Sequence, residues 1–177
     1  VKNAFRVLAV TFVIAATAAM AQSPAAPKPA NPFHRFFGEW TLKNDEWTHN
    51  WGGGIETIKI PNHHTVIKPL NTENSVLSLV STPPAGHILW TWNPVKKIVH
   101  HQSSFGELRI GTGEGTLDES GNLELKVSFE GEAAGTYRLY TYTWLSKDEY
   151  ELKSVQYDDK NVATGLFYTG KFIRLKN

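Results

Sequence analysis

The chain has 177 residues, 18 basic against 17 acidic side chains, a formal charge of +1 with neutral histidine, and no cysteine. A balance this even, with no basic block, gives a nucleic-acid partner little electrostatic support and supplies no polybasic membrane patch. The lack of cysteine excludes disulfide staples and thiol chemistry, and the length suffices for one domain to bury a core without them.

The first segment has the pattern of a secretory signal peptide. Lys2 and Arg6 form a short basic region, Val7 to Ala19 is apolar, and Ala19-Met20-Ala21 presents the small residues of a cleavage site. The apolar run is shorter than the ~20 residues a membrane-spanning helix needs. Residues 1–21 are therefore expected to be removed. The mature chain would begin at Gln22, be periplasmic or secreted, and have no membrane insertion. Residues 22–32 are rich in proline and alanine, and the prolines remove backbone donors and favour extended chain, so a disordered linker is expected there. Residues 33–177 then form one domain.

Asn31-Pro32-Phe33-His34-Arg35-Phe36-Phe37 predicts a short helical turn. Asn31 suits the cap and Pro32 the first helical position, while Phe33, Phe36 and Phe37 share one face. From Trp40 to Leu175 the chain reads as strand after strand. Leu123 to Phe129 alternates apolar and polar residues without a break, which places Leu123, Leu125, Val127 and Phe129 on one face. Further strands are predicted at 55–60, 65–70, 76–82, 87–92, 97–103, 107–112, 113–117, 136–145, 149–157 and 165–175. The turns between them carry Asn93-Pro94, Ser120-Gly121-Asn122 and Asp158-Asp159-Lys160-Asn161. A one-sided sheet with no helices to cover it must close on itself or pack on a second sheet, and the short turns, without the long crossovers of a sandwich, favour closure. The predicted fold class is all-β: an antiparallel up-and-down β-barrel of about eight to ten strands with a short N-terminal helical turn.

Phe36-Phe37-Gly38-Glu39-Trp40 leads from the helical turn into the first strand of the meander. This resembles the lipocalin-like (calycin) β-barrel superfamily, in particular its small exported bacterial members of uncharacterised function. The resemblance implies that Trp40 lies across the closed end of the barrel and that Arg174, near the end of the last strand, stacks over it. Two features depart from the pattern: the disulfide common in secreted lipocalins is missing, and a strand count nearer ten leaves the fatty-acid-binding type of barrel open. The haem-binding branch that nitrobindin represents carries further glycines after Gly-x-Trp and an axial histidine late in the chain. Here Thr41-Leu42-Lys43 follows Trp40 and no histidine follows His101, so no cofactor is expected.

The candidate chemistry lies in aromatic and histidine residues. Trp90 and Trp92 share one face of a strand, as do Tyr140, Tyr142 and Trp144. Facing inward, they would line a cavity for a flat or long apolar ligand. Facing outward, they would form a platform for sugars or a protein. So many large rings would overfill a small barrel. His100-His101 lies mid-strand, so one ring faces inward and needs a partner. His63-His64, after Pro61-Asn62, reads as a pair of surface turn histidines, and no metal is expected because strand neighbours point apart. Tyr168, Phe172 and Arg174 share a face of the last strand. Arg174 would either recognise a carboxylate inside or close the barrel on Trp40. Gly111-Thr112-Gly113-Glu114-Gly115 lacks the lysine and helix of a phosphate loop and reads as strand glycines at a bend or bulge. Asp45, Glu46 and His49 read as loop residues beside Trp47. No catalytic residues are assigned.

The expected ligand-binding residues are Trp90, Trp92, His100, Tyr140, Tyr168 and Arg174, and the expected partner is an apolar or amphipathic small molecule. Two alternatives stand beside this: a barrel enzyme using an inward histidine and a tyrosine in acid–base chemistry, and a carbohydrate- or protein-binding domain using outer tryptophans such as Trp47 and Trp51.

Overall fold

A computed structural model of the chain describes residues 31–70 and 73–176. The expected signal segment and residues 22–30 of the expected linker lie outside the described residues. Twelve strands run in chain order: β1 (Gly38–Leu42), β2 (Glu46–Asn50), β3 (Glu56–Lys59), β4 (Thr65–Pro69), β5 (Ser75–Val80), β6 (Gly86–Asn93), β7 (Ile98–Phe105), β8 (Arg109–Leu117), β9 (Leu123–Phe129), β10 (Tyr137–Ser146), β11 (Glu149–Tyr157) and β12 (Ala163–Arg174). Each strand from β4 to β12 pairs antiparallel with the next, and β1 pairs with both β4 and β12. These ten strands close a ring. The predicted barrel is present, and closure leaves the ring without an edge to protect.

The two remaining strands arise where the first hairpin breaks. Asn44 and Asp45 both have positive φ (56° and 57°), which ends β1 in a tight turn. The chain then resumes as β2, beside the same strand β12 further along, with Tyr168 opposite His49. Strand β3 pairs back onto β2. Residues 46–50, expected to be a loop, are therefore a strand. The apolar alternation that marks a half-buried strand is missing from Glu46-Trp47-Thr48-His49-Asn50, because the buried position after Trp47 on the inward face is a histidine.

The alternation of β9 is realised in full: Leu123, Leu125, Val127 and Phe129 are buried and the residues between them exposed. Strand β8 is one continuous element, where two short strands were expected. Gly111, Gly113 and Gly115 face inward on it, opposite Phe129, Val127 and Leu125 of β9. The pairing runs through all three without a register shift, so the expected bulge is not what requires glycine. A Cβ at Gly113 would lie 2.0 Å from the Lys126 carbonyl oxygen. The wall curls so tightly here that backbone occupies the place of a side chain.

The N-terminal turn is a 3₁₀ helix over His34–Phe36 that plugs one end of the ring. Asn31 belongs to this plug: its side-chain oxygen accepts from the Phe33 N–H at 2.9 Å, and its amide donates to the Ser75 carbonyl at 3.3 Å. Phe33 and Phe36 are fully buried against Trp90, and Phe36 also meets Tyr142, Trp144 and Tyr150. Trp40 lies in the same cluster and donates its indole N–H to the Phe36 carbonyl at 2.8 Å. The guanidinium of Arg174 sits 4.2 Å over the Trp40 ring. It donates to Asp148 at 3.0 Å, to the Arg35 carbonyl at 2.8 Å and to the Phe37 carbonyl. Gly38 makes room for this seal. Its φ of +124° is one that L side chains rarely adopt, and a Cβ there would meet the Arg174 guanidinium at 2.8 Å.

Candidate functional site: the barrel interior

The concentration of rings at the plugged end explains how a barrel so rich in aromatics is not overfilled. Trp40, Trp144, Tyr150, Phe33 and Phe36 pack into the closed end and leave a cavity of about 460 Å³ above them. Trp90, Tyr142 and Phe172 form part of its lining, and Phe129 and Tyr140 part of its wall. Toward the opposite end, the β2–β3 and β5–β6 connections contribute Trp51 and Thr82 to Pro84, and the facing ends of β7 and β8 contribute Phe105 and Arg109. A void of this size with mostly apolar walls is in the range of small-molecule sites.

Three of the six expected ligand-binding residues line the cavity: Trp90, Tyr140 and Tyr168. Three do not. Trp92 is on the same face as Trp90 but packs into the core one step nearer the plug, outside the lining. His100 points outward, its Nδ1 3.1 Å from Glu114 Oε1, and the inward ring of the pair is His101. Register decides this, because His101 stands opposite the inward Gly113 and Trp90. Arg174 takes the second of its two expected roles, as the seal over Trp40. His63, expected on the surface, lines the cavity and meets Phe172 edge-on at 5.3 Å between ring centres. Trp47 also turns inward and stacks on Tyr168 at 4.9 Å. Trp51 is half exposed at the mouth, stacked on His49. No cluster of three or more potential metal ligands occurs among the described residues.

The polar groups of the cavity are unusual in what they lack. His101 is 4% exposed, and its Nδ1 accepts the Trp90 indole N–H at 3.0 Å, which leaves Nε2 without a partner. Burial lowers its pKa to about 4, so the ring is neutral at physiological pH. Tyr168 donates its hydroxyl to the Tyr140 oxygen at 2.8 Å, which frees the Tyr140 proton for another acceptor. Burial, with the neighbouring Tyr168, holds Tyr140 well above the ordinary phenol range. Ser103 Oγ is buried without a partner. Arg138 of β10 is 4% exposed, and Nε and Nη1 of its guanidinium make no hydrogen bond. Its guanidinium carbon lies 5.8 Å from the centre of the Trp51 ring and 5.8 Å from that of Tyr168.

Arg138 was missed because Tyr137-Arg138-Leu139-Tyr140 reads equally well with the arginine outside. The available signal was its parity with Tyr140 and Tyr142. Arg109 of β8 lies at the rim, 4.0 Å over the Phe129 ring and 3.4 Å from Glu132.

Fold and interior together define a closed, cavity-bearing antiparallel barrel. No protein-family model matches the chain, and no curated protein matches it. Among solved structures, EF1p2_mFAP2b bound to DFHBI is 13% identical over 80% of this chain and 95% of its own, with a TM-score of 0.37. A protein of unknown function from the DUF3598 family of Nostoc punctiforme is 10% identical over 82% of this chain and 98% of its own, with a TM-score of 0.22. Scores this low carry no inference about this chain.

Proposed function

We propose that this protein is an exported binding barrel of lipocalin-like type that holds a small amphipathic molecule in its interior. The observation that carries this reading is the cavity of about 460 Å³, whose aromatic walls hold buried polar groups without partners. Native interiors rarely leave such groups unsatisfied. A ligand that meets them while covering the apolar walls accounts for both features. The acid–base alternative has less support, because His101 and Tyr140 stack at 6.3 Å between ring centres without a hydrogen bond between them.

The test is to purify the protein under native conditions from its own cells and identify co-purified small molecules by mass spectrometry. A stoichiometric amphipathic compound, released on unfolding, is the expected result. An empty protein whose melting temperature moves with no member of a broad small-molecule library would defeat the reading. Export is supported by the pattern from Lys2 to Ala21. A mature N-terminus at Gln22 in the periplasm or medium is the expected finding, and an uncleaved cytoplasmic protein would refute it.

A further inference from the structure

We propose that the ligand is an anion, a carboxylate on a flat apolar body, and that Arg138 seats its charged head. The inference rests on the binding reading and narrows it to a chemical class.

Three observations lead there. The first is the charge of the lining, which includes Arg109 and Arg138 and, among the described residues, no aspartate or glutamate. The second is that only one of these arginines is already matched. Arg109 has Glu132 beside it and a ring beneath it. The Arg138 guanidinium has no ion pair among the described residues and leaves Nε and Nη1 without a hydrogen bond, although a lone buried charge is among the most costly groups a protein can hold. The third is the direction of the remaining hydrogen bonds. The His101 Nε2–H and the free Tyr140 proton are both donors, so the site asks for acceptors.

Register brings these groups together. His101, Gly113, Val127 and Arg138 stand directly opposite one another on β7, β8, β9 and β10, in one row around the inner wall. Gly113 contributes no side chain to that row. Tyr140, two residues along β10 from Arg138, stacks beside His101. A planar guanidinium favours a planar carboxylate, which it can grip through two parallel bonds. The surrounding Trp51, Tyr168 and Tyr140 rings favour a flat body.

The experiment compares 2-naphthoate with its neutral counterpart 2-naphthamide by calorimetric titration of the folded protein. Naphthoate is expected to bind about tenfold more tightly or better, as a charge-assisted pair requires. Arg138→Met should erase that preference while naphthamide binding survives, and Arg138→Lys should keep part of it. Equal affinity for the two probes in the wild-type protein overturns the anion inference and leaves the binding barrel standing. A preference that persists in Arg138→Met overturns the assignment to Arg138. Failure of both probes to bind or to raise the melting temperature at millimolar concentration counts against the cavity as a binding site and removes both readings. Should Arg138→Met not fold, the wild-type comparison decides the charge and Arg138→Lys decides the residue, since an unchanged naphthoate affinity in Arg138→Lys would overturn the bidentate seat.

Discussion

The indole N–H of Trp90 donates to Nδ1 of His101 at 3.0 Å inside the barrel. Indole is only a donor, so this contact fixes the imidazole as the tautomer that carries its proton on Nε2. A cross-strand pair thus sets the polarity of the cavity wall: the histidine can give a hydrogen bond to a ligand but cannot accept one.

The burial of this histidine has a pH signature. The His101 pKa falls from 6.5 to about 4 on folding, because burial disfavours the charged ring. Between those values the unfolded chain binds the extra proton. Stability is therefore complete above about pH 6.5 and declines as the pH falls toward 4. At ~1.4 kcal/mol per unit, the loss is roughly 3 kcal/mol. Burial also lowers the His63 pKa, which acts in the same direction. Urea unfolding at pH 7, 5 and 4 should show a shallower decline in His101→Gln than in the wild type, with the His63 contribution remaining. Parallel profiles for the two proteins would refute the assignment.

Arg138 and Arg174 should respond in opposite ways to removal of their charge. For Arg138→Met, the ligand-free protein should be more stable by about 1–3 kcal/mol, since an unpaired buried charge is replaced by an apolar side chain of similar length. Thermal unfolding of protein stripped of bound molecules checks the sign. A marked loss of stability would mean that the guanidinium is well solvated or paired in the native protein.

Arg174→Met should destabilise by about 2–4 kcal/mol, because it leaves the Arg35 and Phe37 carbonyls and Asp148 without their donor and uncovers Trp40. Affinity for 2-naphthoate should change little in this variant, since the residue seals the plugged end and lies outside the cavity lining. A stable variant that had lost naphthoate binding would reverse the roles given to the two arginines.

Gly113→Ala should cost about 1–3 kcal/mol as an overpacking substitution, because the new methyl group meets β9 backbone at a position that no rotamer change relieves. Gly131→Ala supplies a milder comparison: its Cβ has open space around it, and its φ of +80° imposes only local backbone strain. Equal melting temperatures for Gly113→Ala and the wild type would mean that β8 and β9 are further apart than described.

Much of the wall was legible along the chain. Leu123 to Phe129 alternates because one sheet face is dry, and hairpin turns between such segments leave few topologies besides a closed meander. Trp40 was legible at the plug through the Gly-x-Trp resemblance, whereas Arg174 had two expected roles, a carboxylate seat inside or the seal over Trp40, and only its contacts decided for the seal. The β2 strand was not legible, because it is only five residues long and its inward face is Trp47 and His49, so a polar ring stands where an apolar alternation would need a second hydrophobic residue. Nor was the role of Gly111, Gly113 and Gly115, since a glycine that admits a neighbouring backbone looks the same in one dimension as a glycine that bends its own.

The chain by itself determined that this is a β-meander with aromatic rings gathered on shared strand faces, because period and turn chemistry are local properties. Whether that interior was full or hollow was decided only by tertiary structure, which stacked the largest rings against the 3₁₀ plug. Tertiary register also decided which of His100 and His101 turned inward and whether Arg138 faced water or the cavity. The physical reason is that a strand has two faces, and only the closing of the sheet decides which of them is dry.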